Sequence, residues 1–208
     1  MIQGVVFVMD GVLADTEYFY QRRREAYLQR MDFPMPAEMD FVGSNEKAIW
    51  EALVPDDAEL REQMLQGYRA YRHFHPEDYA ALADPQVQPL FQSLHQRGIK
   101  VAIASSSPRG MIRRLMEATG VTELVDYVIS GEECTAHKPN PEIYLRAMAA
   151  LGLTPENSFA VEDSPTGIAA AKNAGMTVYA LRPRHGEKMD QTAANAVVNS
   201  LMEVIEKL

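Results

Sequence analysis

One cysteine, Cys134, is all that the 208 residues contain. No disulfide can form within the chain, and a reducing compartment is the expected setting. No apolar run approaches the roughly 20 residues that a membrane-spanning helix needs. No basic stretch followed by an apolar segment opens the chain as a secretory signal would. Basic residues are outnumbered: 20 Lys and Arg against 29 Asp and Glu leave a net charge of −9. That sign argues against a general binder of nucleic acid or anionic membrane, which needs basic surface, but leaves room for a local phosphate pocket. No Gly-x-Gly-x-x-Gly follows the first apolar segment, so the fingerprint of a dinucleotide site is missing. Internal repeats and low-complexity stretches are missing too. These absences together predict a cytoplasmic protein that binds neither nucleic acid nor membrane.

What is present is ordinary in proportion, 47% hydrophobic and 24% charged, and the length suits one large domain or a domain with an insertion. Val5 to Met9 reads as a buried parallel strand, apolar and β-branched. It stops at Asp10-Gly11, the chemistry of a tight turn. A helical segment follows from Thr16 to about Gln29, with Arg22, Arg23 and Arg24 read as its solvated basic face. Pro34 and Pro36 break the chain. Gly43-Ser44-Asn45-Glu46 then opens a helix, with Ser44 or Asn45 as its N-cap and Ile49, Trp50 and Leu53 as its apolar stripe. Another helix spans Asp57 to His73. No strand pattern occurs between Thr16 and Ala83, and Asp84-Pro85 closes the block.

From Val87 the pattern alternates. Helices are expected at about 87–97, 109–119, 141–151 and 165–174, with a last one reaching Leu208. Strands are expected at 100–104, 125–130, 159–161 and 177–181, with a short one at 196–198. Alternation of this kind gives a parallel sheet covered on both faces. The predicted class is α/β, a Rossmann-like parallel sheet core with helices on both faces, formed by 1–15 and 84–208. A helical domain, 16–83, is inserted into it.

Ligands in parallel α/β sheets bind beyond the carboxyl ends of strands. The first strand delivers Asp10, the second Ser105 and the fourth Glu162 and Asp163, while the loop after the third carries His137-Lys138-Pro139. Each alone has a plain explanation. A serine opening a helix is usually a cap, a lysine before proline is usually solvated, and Glu162-Asp163-Ser164 suits a helix N-terminus. Four such groups at four strand ends outweigh those readings. Their chemistry is that of phosphoryl transfer. Carboxylates suit Mg²⁺, a serine at a helix start suits phosphate oxygens, and Lys138 offers a balancing charge. Residues 8 and 10 share a face if the strand continues that far, so that one could attack and the other handle protons.

Asp10-Gly11 to Thr16, the Val101–Ser107 strand end, Lys138-Pro139 to Pro141, and Glu162-Asp163-Ser164 with Gly167 resemble the four motifs of the haloacid dehalogenase superfamily. The nearest subgroup is the β-phosphoglucomutase-like phosphatases. The helical block stands where that family carries a helical cap. The resemblance implies a nucleophilic aspartate at position 8, with Asp10 as general acid/base and metal ligand through its carbonyl. It implies Glu162 and Asp163 at Mg²⁺, and Gly11, Ser105, Ser106 and Lys138 around the phosphoryl group. Tyr20, Gly43, Asn45 and Lys47 are the cap residues expected to touch substrate.

Position 8 is valine, which can neither attack phosphorus nor ligate Mg²⁺. Valine is close to aspartate in shape and removes one charge from a crowded acidic site. The expectation is therefore a folded Mg²⁺-dependent phosphatase scaffold for small phosphorylated metabolites, impaired or inactive as it stands. One alternative is a phosphosugar mutase, which the resemblance would equip with a histidine soon after Thr16; Glu17-Tyr18-Phe19-Tyr20 has none. The other is a binding protein that senses a phosphometabolite. The sequence leaves the oligomeric state open, a monomer being consistent with it.

Overall fold

The computed structural model describes residues 1–34, 46–186 and 188–208. They form two compact units, 1–15 with 79–208, and 16–78. The elements in chain order are β1 (Gly4–Phe7), α1 (Thr16–Arg30), α2 (Glu46–Leu53), α3 (Ala58–Phe74), α4 (Tyr79–Leu82), α5 (Val87–Gln96), β2 (Lys100–Ser105), α6 (Arg109–Thr119), β3 (Tyr127–Ser130), α7 (Glu142–Leu151), β4 (Ser158–Glu162), α8 (Pro165–Asn173), β5 (Thr177–Leu181) and β6 (Ala196–Val198).

The first unit is built on a six-stranded sheet in the order β3-β2-β1-β4-β5-β6, parallel at every pairing. Alternation along each strand divides its side chains between two apolar layers. Val5, Phe7, Val101, Ile103, Phe159 and Val161 join one layer, with Leu90 and Phe91 of α5 and Ile112 and Leu115 of α6. Val6, Ala102, Ala104 and Ala160 join the other, with Tyr144 and Met148 of α7 and Ile168 and Ala171 of α8. A Rossmann-like α/β core with helices on both faces is the result. β1 sits mid-sheet, with Phe7 opposite Ile103 on one side and Val161 on the other. The chain winds outward from β1 in one direction and then, from β4, in the other. The β1–β4 junction is thus the point where the strand order reverses, which is where such sheets open a crevice.

Two details near the ends of the first unit's segments depart from the sequence expectations, apart from those given further on. Residues 79–83 pack with the first unit: Tyr79 is buried in its apolar layer, Asp15 N–H donates to Leu82 O at 2.8 Å and Asp84 N–H to Leu13 O at 2.9 Å. A four-residue helix is too short for periodicity to assign. The terminal helix is a 3₁₀ helix, Leu201–Lys207. Its buried residues, Leu201 and Val204, stand three apart, the spacing that 3₁₀ geometry aligns on one face.

The second unit has its own core of Tyr27, Leu28, Ile49, Trp50, Leu53, Val54, Met64 and Tyr68. Asp57 caps α3 by accepting from Leu60 N–H at 2.9 Å. Tyr27 donates its hydroxyl to Met64 O at 3.0 Å, and a Cβ on Gly67 would stand 2.2 Å from that hydroxyl. The expected solvated face of α1 is corrected here, because Arg23 and Arg24 are only 7% and 8% exposed. Arg23 donates to His75 O at 2.9 Å and to Glu77 at 3.0 Å. Its guanidinium lies 5.0 Å from the Phe19 ring and 5.2 Å from that of Tyr20. Stacking and an internal carboxylate meet the cost of burying the charge, and nothing in the local pattern distinguishes Arg23 from the solvent-facing Arg22. The predicted N-cap at Ser44 or Asn45 lies outside the described residues.

Candidate active site

β1 ends at Phe7, and Val8 adds one more ladder bond, its N–H reaching Val161 O at 3.1 Å. Its side chain is 6% exposed and belongs to an apolar layer. The chain then turns: the N–H groups of Val12, Leu13 and Ala14 all reach Met9 O, and Gly11 N–H reaches Ala14 O at 2.9 Å. Asp10 therefore sits in a turn, and strand alternation does not place residues 8 and 10 on one face. Gly11 has a φ of +73°, and a Cβ there would lie 1.9 Å from Asp163 Oδ2. Only glycine meets both demands, and its bare Cα lets the Asp10 turn touch the Asp163 carboxylate.

Asp10 Oδ2 accepts from Ser105 Oγ at 3.2 Å and from Ser107 Oγ. Ser107 N–H in turn donates to Ser105 Oγ at 3.1 Å, and Ser130 Oγ donates to Ser107 O at 2.7 Å. The serine run after β2 thus bends back to bond the β1 turn. Ser106 is exposed.

Lys138 comes from the loop before α7, its side chain 9% exposed. Its ammonium donates to Glu162 Oε1 at 2.6 Å, Tyr144 OH at 3.2 Å and Ala104 O at 3.4 Å. Glu162 is wholly buried and also accepts from Tyr144 OH and from Asp163 N–H at 3.2 Å. Burial, with that carboxylate against it, holds the Tyr144 phenol well above the ordinary tyrosine range. A Cβ on Gly167 would fall 2.1–2.2 Å from the Glu162 carboxyl atoms, so α8 approaches this pair over a bare backbone.

The Lys138 loop has an anchor of its own. Glu142, in the first turn of α7, accepts from Thr135 N–H at 3.0 Å, Thr135 Oγ1 at 2.6 Å and Ala136 N–H at 2.9 Å. These bonds favour the charged form, and the Glu142 carboxyl falls from 4.5 to about 2. A lowered folded-state value stabilises the fold above the unfolded one. The contribution is whole above pH 4.5 and fades as the pH falls toward 2. Acid titrations of stability should therefore show a shallower decline over that interval in Glu142→Gln than in the parent chain.

The strand ends thus bring Asp10, Gly11, Ser105, Lys138, Glu162 and Asp163 together in one unit. Tyr144 and Ser107 join them without having been singled out from sequence. Tyr144 could have been noticed as a hydroxyl within the apolar stripe of α7, since a buried tyrosine needs a polar partner. Of the residues expected to touch substrate, Tyr20 lies under the Arg23 guanidinium. Lys47 faces solvent opposite Glu51 at 3.8 Å. Gly43 and Asn45 lie outside the described residues.

For Mg²⁺ the donors present are incomplete. Among the described residues no group of three His, Cys, Asp or Glu is arranged to hold a metal. Glu162 is engaged by Lys138 and Tyr144 and Val8 contributes no oxygen. The Asp10 carbonyl and the Asp163 carboxylate are the donors that would hold the ion, and residue 8 as valine leaves that set one carboxylate short.

The haloacid dehalogenase-like hydrolase family matches residues 5–181, and the chain belongs to it. The phosphorylated carbohydrates phosphatase of Thermotoga maritima is 28% identical over 84% of this chain and 82% of its own. The validoxylamine A 7′-phosphate phosphatase of Streptomyces hygroscopicus subsp. limoneus is 27% identical over 98% of this chain and 96% of its own. The crystal structure of β-phosphoglucomutase from Clostridium difficile superposes with a TM-score of 0.74 at 21% identity, covering 100% of this chain and 97% of that one. The sequence relatives named here are thus phosphatases, and the β-phosphoglucomutase structure shares the fold. Phosphatases of the family generally use Mg²⁺.

Proposed function

We propose that this chain is a phosphomonoester hydrolase scaffold for small phosphorylated metabolites whose covalent step is blocked at residue 8. The observation that carries this is the company Val8 keeps. Asp10, Ser105, Glu162 and Asp163 stand at or just beyond the ends of β1, β2 and β4, Lys138 reaches Glu162 from the loop before α7, and Val8, at the end of β1, has no side-chain polar atom to offer. In this reading an aspartate at position 8 would attack phosphorus and carry the phosphoryl group. Asp10, already bonded to two hydroxyls, would give and take the proton of the leaving group and of water. Ser105, the Ser106 backbone and Lys138 would hold the phosphoryl oxygens, and the turn at Gly11, with no side chain in the way, would admit them. A carboxylate at residue 8, the Asp10 carbonyl and Asp163 would hold Mg²⁺, which would supply positive charge against the phosphoryl oxygens. The mutase alternative finds no support in α1, whose first turn offers no histidine.

The test is phosphate release by Val8→Asp with Mg²⁺ over a broad panel of sugar, polyol and carboxylic-acid monophosphates. Turnover of at least one panel member by the revertant, and of none by the Val8 chain, is the expected result. An inert revertant would sink the phosphatase reading, and equal rates in both chains would sink the assignment of residue 8.

A further inference from the structure

The loop between β5 and β6 carried no motif in the sequence, yet two of its side chains reach back to the two acid-bearing turns. Arg184 donates through Nη1 to Gly11 O at 3.1 Å and through Nη2 to Val12 O at 2.9 Å. The same Nη2 reaches Asp84 Oδ2 at 2.8 Å, which balances the guanidinium. Gln191, 9% exposed, donates to Asp163 O and to Leu181 O, each at 2.8 Å. One loop therefore grips the turn that bears Asp10 by its carbonyls and the turn that bears Asp163 by its carbonyl. Those turns meet where the Gly11 Cα faces Asp163 Oδ2.

We propose that Arg184 and Gln191 are positioning residues that fix the Asp10 turn against the Asp163 turn. They act through backbone carbonyls and do not touch substrate. The geometry explains why side chains of these types are used. A guanidinium has a planar fork that spans two successive carbonyls and still reaches a carboxylate, which an ammonium cannot do from one position. A glutamine amide has two N–H donors, and both are spent bridging the end of β5 to the end of β4. Neither residue is needed to close an apolar layer. Their removal should loosen the spacing of the two turns while leaving the sheet intact.

The proposal rests on the hydrolase reading for its kinetic arm and on the chain as it stands for its structural arm. In the Val8→Asp background, Arg184→Met and Gln191→Met should each lower kcat by about 10- to 100-fold, the scale set by an ångström of misplacement at a reacting centre. KM should stay within about threefold, since binding groups are untouched. The double variant should lose less than the product of the two, because both side chains hold one spacing. Arg184→Lys should recover part of the loss, and free guanidinium at millimolar concentration part of that in Arg184→Ala. In the Val8 chain itself, amide exchange read by NMR should accelerate at Gly11–Ala14 in Arg184→Met and at Asp163–Ser164 in Gln191→Met, with the β2 and β4 amides unchanged. Unchanged exchange at those turns would overturn the proposal whatever the revertant does. So would a fall in kcat matched by exchange rising throughout the sheet. An inert Val8→Asp parent would remove the hydrolase reading alone and leave the exchange comparison to decide the clamp.

Discussion

Val8→Asp is expected to raise turnover of an accepted phosphomonoester on the order of 10⁴-fold or more, the scale of losing or regaining a covalent nucleophile. Asp10 is held by Ser105 and Ser107, and Lys138 is anchored on Glu162. The gain should therefore appear without second-site changes. It should appear in kcat, with product formation showing a covalent phospho-enzyme on acid quench. Val8→Asn, which restores a polar atom of similar shape but no nucleophilic carboxylate, should stay at the Val8 level. If Val8→Asn matched Val8→Asp, polarity rather than nucleophilic attack would be the missing property.

The same substitution should be costly to the fold. Val8 is 6% exposed and packed in an apolar layer, so the incoming carboxylate would be enclosed by apolar neighbours. Burying a charge there without a cation costs on the order of 3 kcal/mol, which for a chain of this size lowers Tm by roughly 6–12 °C. Mg²⁺ should return much of that loss in the revertant: saturation at about a hundredfold over Kd adds about 2.7 kcal/mol. In the Val8 chain Mg²⁺ should shift Tm by less than about 1 °C, because its donor set is one carboxylate short. Chelation should reverse the effect in the revertant alone. Catalytic gain and metal-free stability thus move in opposite directions at one residue.

The sheet and its order of elements were legible because each strand is a short apolar run closed by polar or glycine punctuation, and α6 and α7 each carry an apolar stripe that a glycine at positive φ stops. The site was legible for a related reason: chemistry-bearing residues cluster where apolar runs stop, as at Asp10, Ser105 and Glu162-Asp163. What escaped depends on distance in sequence. Arg184 and Gln191 act on carbonyls about 170 and 30 residues away, and a carbonyl leaves no letter in the sequence. Arg23 and Arg22 are neighbours with the same side chain, yet one is enclosed by aromatic rings and Glu77 and the other faces solvent. The packing of α1 against α3 and the segment after it, which supplies Tyr68, His75 and Glu77, separates them. Tyr144 was hidden in the apolar stripe that it does help to form.

Lys138→Met should destabilise the chain by about 3–5 kcal/mol, the usual loss when one member of a buried ion pair is removed and the other stays. Glu162 is wholly enclosed and Lys138 nearly so, and water cannot replace the ammonium at Oε1. Tyr144 would still donate to that oxygen, and Asp163 N–H to the other, which places the loss toward the lower end. Glu162→Gln alone removes the charge but leaves the ammonium buried, supported by Tyr144 OH and Ala104 O; it should also destabilise. The double change Lys138→Met with Glu162→Gln should recover most of either loss, because no buried charge is then left without its partner. Urea midpoints for the four chains would measure the coupling directly. A double variant as unstable as the additive sum would mean that Lys138 and Glu162 contribute separately. Recovery of stability without recovery of turnover in the Val8→Asp background would separate the two uses of Lys138, one as the counter-charge of Glu162 and the other as a holder of the phosphoryl group.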